Sequence, residues 1–485
     1  MQSIANRFLH RALPHLTALP AWRSVSRSSF ISAAMRGEDP ELGEFFDYME
    51  KLKNYEKIGV PKDAGTDSDD GFDLGRMRRL LKRLGDPHCR FRAIHIAGTK
   101  GKGSTAAFLS SILREEGYRV GTYSSPHLLT IRERISVGSG KPVSAKVLNI
   151  FFHEVKECLD ESIQLEKGQL THFEVFTALA FALFSKENVD IAVIEAGLGG
   201  ARDATNVLTS NNLAVSVITT IGEEHLAALG GSLESIAMAK AGIIKYGCPL
   251  VIGGPFDLHI EQILRNQASS MCSPVVSACD PGVQGIVKGF GPVDGRPCQF
   301  CDICIQIKKD LDLSIELSNV KLHMLGHHQL QNAITAVCAS LCLQNQGWKI
   351  SNESIYDGLK NTELPGRSQF LSFKEVGDLG LSRVSVLIDG GPPDAFFIFT
   401  IAHTEASAKA LADTITMAAK GQRLAFVVAM ASDKDHVKFA RQLLSGLGPE
   451  VVVLTELPVG PIAPLSLVDA SAAVDIVCPH EWITA

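Results

Sequence analysis

From residue 92 onward, short apolar runs alternate with longer stretches in which apolar residues recur every three to four positions. Residues 92–97 (RAIHIA), 119–123, 189–194 and 213–218 are runs of the first kind. Their length and β-branched content predict strands buried on both faces. Residues 104–116 carry helical periodicity in good helix formers, and similar stretches separate the other runs. Strand and helix in alternation imply βαβ units and a mostly parallel sheet. Each strand runs straight into a polar or glycine-rich cluster: GTKGKGST after the first, SSPH after the second, EAGLGGARDATN after the third and TTIGEEH after the fourth. In an open α/β sheet the carboxyl ends of the strands share one edge, where ligands bind. Four clusters far apart in sequence are therefore expected to converge on one site.

The first cluster has the place of a phosphate loop but not its usual spelling. Counted back from Gly101-Lys102, the first glycine of GxxxxGK[ST] falls at position 96, which holds Ile96, and Gly103 separates Lys102 from Ser104. Small residues from Gly98 to Ser104 would still free backbone N–H groups for a polyphosphate at a helix N-terminus. Lys102 would neutralise the β/γ-phosphate oxygens. Glu195, at a strand end, is costly to bury unpaired, and a magnesium ion would pair it. Ser125 and Glu195 suit magnesium, which prefers hard oxygen ligands. His225 is a softer donor and reads equally well as a histidine satisfied by hydrogen bonds.

Composition narrows the partners. At 485 residues, two or three domains are expected. The net charge of −6 gives no support for a nucleic-acid surface. No apolar run approaches the ~18 residues of a membrane span. Residues 1–37 hold five arginines, many Ser and Ala, and no acid before Glu38. That reads as an organellar transit peptide, mitochondrial in preference to plastid or cytosol. Eleven cysteines include the CxxCxxC run Cys298, Cys301 and Cys304. No fourth ligand lies nearby and the run alternates as a strand would, so structural thiols are expected.

Taken in order, HIAGTKGKGST, YSSPHL, EAGLGGARDATN, ITTIGEEH, AMAKAGIIKYG, LGHHQLQNA and LPGRSQ resemble the folate-adding branch of the Mur ligase superfamily, dihydrofolate synthetase and folylpolyglutamate synthetase. The resemblance runs from about Phe72 to Glu456 and explains the loop, which in that family reads GT-x-GKG-[ST]. It implies an α/β fold: a P-loop-type, mostly parallel sheet domain over residues 38–347 and a smaller Rossmann-like domain over 348–485. It implies ATP as co-substrate, contacted by Thr99, Lys100, Gly101, Lys102, Gly103, Ser104, Asn332, Arg367 and Asp389. One or two magnesium ions are implied on Ser125, Glu195 and His225, with carbamylation of Lys240. Lys102, Lys240 and His225 form the implied catalytic set. Gly71, Phe72, Asp73, Thr171, His172, Phe173, Glu174, Arg202, Asp203 and Ala204 match positions facing the pterin substrate. Phe173 could pack on the heterocycle, or simply in the core.

The implied reaction joins L-glutamate to dihydropteroate, or to a folate, through an acyl phosphate in a monomeric enzyme. GLGGARDATN and LTHFE resemble dihydrofolate synthetases and bifunctional members most. The chain departs from the family twice. The family's Asp-Gly-Ala-His string is broken after Asp389-Gly390 by residues 391–401, which read as an unspliced segment, and Ala402-His403 follow. The C-terminal domain also reads as cut short at Ala485. An inactive nucleotide-binding isoform is the alternative that these departures motivate.

Overall fold

The computed structural model of the protein describes residues 39–66, 72–128, 130–293, 296–367, 369–370, 387–388, 405–418, 425–431, 441–443, 451–457 and 475–477. The leader 1–37, Gly71, Asp389 and the segment 391–401 lie outside them.

Three helices come first: α1 (Gly43–Glu50), α2 (Tyr55–Ile58) and α3 (Leu74–Arg83). There follow β1 (Arg92–Ala97), α4 (Lys102–Glu115), β2 (Val120–Tyr123), β3 (Ile135–Val137), α5 (Ala145–Leu165) and α6 (His172–Lys186). Next are β4 (Ile191–Glu195), β5 (Leu213–Ile218), α7 (Leu233–Ala241), β6 (Leu250–Ile252), α8 (Leu258–Ser270) and β7 (Val275–Ser277). The seven strands form one sheet in the order β3-β2-β4-β1-β5-β6-β7, parallel except for the edge strand β3. β1 is central and buried on both faces: Ala93 enters the core under α5 and α6, while Ile94 and Ile96 enter the one under α4. The expected strands 92–97 and 213–218 match β1 and β5, and the helix expected at 104–116 begins two residues earlier, at Lys102.

Residues 283–322 are not parallel. β8 (Val283–Val293), β9 (Arg296–Ile307) and β10 (Leu313–Leu322) make a separate antiparallel meander. The cysteine run lies on β9: Cys298 and Cys301 are buried, Cys304 is half-buried, and burial pushes the Cys301 thiol up to about 12. Helices α9 (His327–Asn345) and α10 (Asn352–Asn361) pack between this meander and α4. The expected domain boundary at 348 thus precedes a helix whose Ile355 and Leu359 share the core of α4.

Further on, β11 (Gln369–Phe370) pairs with β12 (Leu387–Ile388), and α11 (Glu405–Ala418) follows. β13 (Ala425–Ala431) runs parallel to β14 (Val451–Leu457), which pairs antiparallel with β15 (Asp475–Val477).

Candidate active site

Strand order makes neighbours of the four polar clusters. β2, β4, β1 and β5 are consecutive, and their registers level the ends: Tyr123 lies beside Ile194, Ile96 beside Glu195, Ala97 beside Ile218. The clusters therefore meet at one edge.

The loop after β1 is shaped by what it touches. Gly98 has φ 151°, and a Cβ there would fall 1.9 Å from Thr219 Oγ1. Gly101 has φ 84°, and a Cβ there would fall 2.3 Å from Asn332 Oδ1. Only glycine combines these torsions with such close approach. The β5 end then binds the loop. The Thr99 N–H donates to the Thr220 carbonyl, the Lys100 N–H donates to Thr220 Oγ1 at 2.8 Å, and the Thr219 hydroxyl donates to the Lys100 carbonyl at 2.6 Å. With those two N–H groups engaged, the N–H groups left to receive an anion are those of the first turn of α4, which begins at Lys102 with Gly101 as its cap. Ser104 is buried in that turn.

Lys102, Glu195, Ser125 and Lys240 are packed around this loop. Lys102 Nζ lies 3.4 Å from the Thr99 carbonyl and 3.9 Å from Glu195 Oε1. Glu195 is 4% exposed and accepts the Ser125 N–H at 3.3 Å. Burial raises its pKa, and Lys102, the Ser125 N–H and the charge of Arg367 oppose the rise. A Cβ at Gly103 would fall 3.5 Å from Glu195 Oε2. Lys240, in the last turn of α7, donates to the Gly98 carbonyl at 2.8 Å, and burial, reinforced by Lys102, lowers it to about 7. Its amine is therefore substantially neutral near neutral pH, the form that can react with carbon dioxide. His225 is exposed at a left-handed turn, φ 56°, leading into the 3-10 turn Leu226–Leu229. Among the described residues, no three His, Cys, Asp or Glu side chains gather as a metal-holding group. The N–H contact places Ser125, a hydroxyl-bearing residue, next to the Glu195 carboxylate, and donors of that chemistry suit magnesium.

The residues expected to face a pterin divide. Thr171 caps α6 in a reciprocal box with Glu174, which also takes the Arg76 Nε at 3.2 Å. His172 is buried, and burial, then Arg134, lowers it to about 4. Phe173 is half-buried against Gly197 and near the Tyr123 ring. Asp203 accepts the Leu198 and Thr205 N–H groups and the Thr205 hydroxyl, starting the 3-10 turn at Ala204. Arg202 donates to the Phe72 carbonyl, and the Phe72 ring packs tilted against Tyr55. Arg202 and Asp73 line a polar cavity of about 410 Å³ together with Arg78, Asn206 and Lys245. Asp73 caps α3.

Sequence reasoning missed Arg134. It is 2% exposed, forks onto Glu56 at 2.8 and 2.6 Å, and donates Nε to His127 Nδ1 at 2.8 Å. Its carbonyl accepts the Ser124 N–H. It thus fastens the loop that carries Ser125. Nothing in the charged run RERI marks Arg134 as buried; the one signal is its nearness in sequence to SSPH.

Comparison with known proteins agrees with this geometry. Residues 96–252 match the Mur ligase middle domain. A Bacillus subtilis dihydrofolate synthase/folylpolyglutamate synthase is 34% identical over 374 residues, covering 76% of this chain and 78% of the relative. The crystal structure of Thermotoga maritima folylpolyglutamate synthase superposes with TM-score 0.68 at 30% identity, covering 87% and 85% of the two chains. A folylpolyglutamate synthase complex with AMPPCP and folate superposes with TM-score 0.67 at 26% identity, covering 85% and 88%. A parallel sheet whose strand ends gather a phosphate loop and a buried carboxylate, and relatives that span most of the chain, place it in the folylpolyglutamate synthase family of the Mur ligase superfamily, among the ATP-dependent acid–amino-acid ligases.

Proposed function

We propose that the chain is a dihydrofolate synthetase, joining the amine of L-glutamate to the carboxylate of dihydropteroate at the expense of ATP. The observation that carries the ligase chemistry is the contact set of Lys102, Glu195, Ser125 and Lys240 around the glycine loop. The preference for dihydropteroate over a folylpolyglutamate rests on GLGGARDATN and LTHFE.

The substrate carboxylate attacks the γ-phosphorus of ATP; the bond to the β-phosphate oxygen breaks and ADP leaves. The glutamate amine then attacks the acyl carbon, phosphate departs, and the amine loses its proton. Such chemistry needs positioning and charge neutralisation more than covalent help. Lys102 and the first turn of α4 hold the phosphates, with Thr99, Asn332 and Arg367 around them; Asp389 joins that role from outside the described residues. Ser125, Glu195 and His225 would hold magnesium, which supplies charge neutralisation for the transferred phosphoryl group. Carbamylation would make Lys240 an anion beside Lys102. Phe173, with its half-buried ring, would wall the pterin. We further propose a monomer, imported into the mitochondrial matrix by residues 1–37; fusion of those residues to a fluorescent protein tests the address. Among the described residues, no helix is long and apolar enough to cross a membrane.

ADP release and product mass, with ATP, magnesium and L-glutamate, test the activity. Dihydropteroate and tetrahydrofolate are offered separately. Turnover of dihydropteroate alone is expected; turnover of tetrahydrofolate assigns folylpolyglutamate synthetase instead, and ATP binding with no turnover assigns an inactive isoform.

A further inference from the structure

Beneath the glycine loop after β4 lies a buried chain of three polar side chains. His95, on β1, is 0% exposed, and its Nε2 is 2.8 Å from Thr205 Oγ1. Thr205, also 0% exposed, donates its hydroxyl to Asp203. Asp203 in turn accepts the Leu198 N–H at 2.8 Å and the Thr205 N–H at 3.0 Å. One hydroxyl has one proton. Because Thr205 gives it to Asp203, its oxygen must accept from His95, so Nε2 carries the imidazole hydrogen. The opposite tautomer would bury an N–H at Nδ1, an atom with no partner in the structure, and would take the Thr205 proton away from Asp203. A lone pair without a partner is the cheaper defect.

Asp203 fixes the position of the loop from Gly197. A Cβ at Gly197 would fall 2.6 Å from Phe173 Cζ and 3.2 Å from Asp203 Oδ2, so ring, loop and carboxylate are in close contact. We infer that His95 is a positioning residue for the pterin wall: it orients Thr205, Thr205 orients Asp203, and Asp203 holds the glycine loop against Phe173. The inference rests on the reading that Phe173 faces the pterin. It makes His95 serve a substrate other than the one its own strand leads to, since β1 runs into the phosphate loop.

That separation is the test. In the full chain, His95→Leu removes the donor, and His95→Gln places an amide N–H near the Nε2 position. His95→Leu is expected to raise KM for the pterin substrate about tenfold with KM for ATP changed by less than about twofold, and His95→Gln is expected to recover most of the loss. A KM for ATP that rises in step, or a glutamine variant no better than leucine, overturns the inference. Should His95→Leu fail to fold, Thr205→Ser (hydroxyl kept) against Thr205→Val (hydroxyl lost) makes the same comparison. Selective ¹⁵N labelling of histidine reads the tautomer directly in the wild-type chain: Nε2–H is expected, and Nδ1–H overturns the relay. This readout needs no turnover, so a failure of the pterin assignment remains distinguishable from a failure of the relay.

Discussion

Gly98 shows how little freedom single residues have at this sheet edge. Its φ of 151° and the 1.9 Å approach to Thr219 Oγ1 leave no room for a methyl group. Gly98→Ala is expected to destabilise the fold by about 2 kcal/mol or more and to abolish turnover, measured by chemical denaturation and ADP release. Lys240 gives a pH prediction. Its pKa falls from 10.5 to about 7 on folding, so between those values the unfolded chain binds the extra proton. Stability therefore rises with pH across that window, by about 1.4 kcal/mol per pH unit for one proton. Lys240→Met should flatten the slope of unfolding free energy between pH 7 and 10 and should remove activity; an unchanged slope would show that the buried amine is not the cause. The motif residues Lys102, Glu195 and Ser125 were legible because strand ends announce them. Arg134 and the His95–Thr205 pair were not, because their partners lie far off in sequence and burial alone gives them meaning.

At the scale of elements, β1, α4 and β5 were readable to within a residue or two from apolar runs and their periods. The antiparallel meander β8–β10 was not foreseen, although the alternation of β9 was; pairing direction depends on where the chain turns back, which side-chain period does not encode. The start of α6 is set locally. Thr171 and Glu174 cap it reciprocally, so Thr171→Ala is expected to cost about 1 kcal/mol by chemical denaturation. Because the same turn carries His172 and Phe173, that variant should also raise KM for the pterin substrate while leaving KM for ATP unchanged in steady-state assays. Equal shifts in both would mean that the cap acts on the whole sheet.

For the whole molecule, two sets of elements meet different tasks. The seven-stranded sheet brings loop, carboxylate and lysine together, and the C-terminal strands β13–β15 form a sheet of their own. Deleting residues 391–401 rejoins Asp389-Gly390 to Ala402-His403 and is expected to raise ATP-dependent turnover at least several-fold, measured as ADP release. Equal turnover with and without the segment would show it to be a tolerated loop extension, which loop entropy permits. Fold class and the phosphate-loop location were already written in the order of residues, because apolar period and turn chemistry are local properties that survive without neighbours; the ligase family was legible only through the resemblance of the ordered motif strings. Which strands adjoin, how Glu195 meets Ser125 and Lys102, and how His95 reaches Asp203 through Thr205 were decided only on folding. Those contacts join residues up to 110 positions apart, and burial, not sequence proximity, sets their hydrogen bonds and charge.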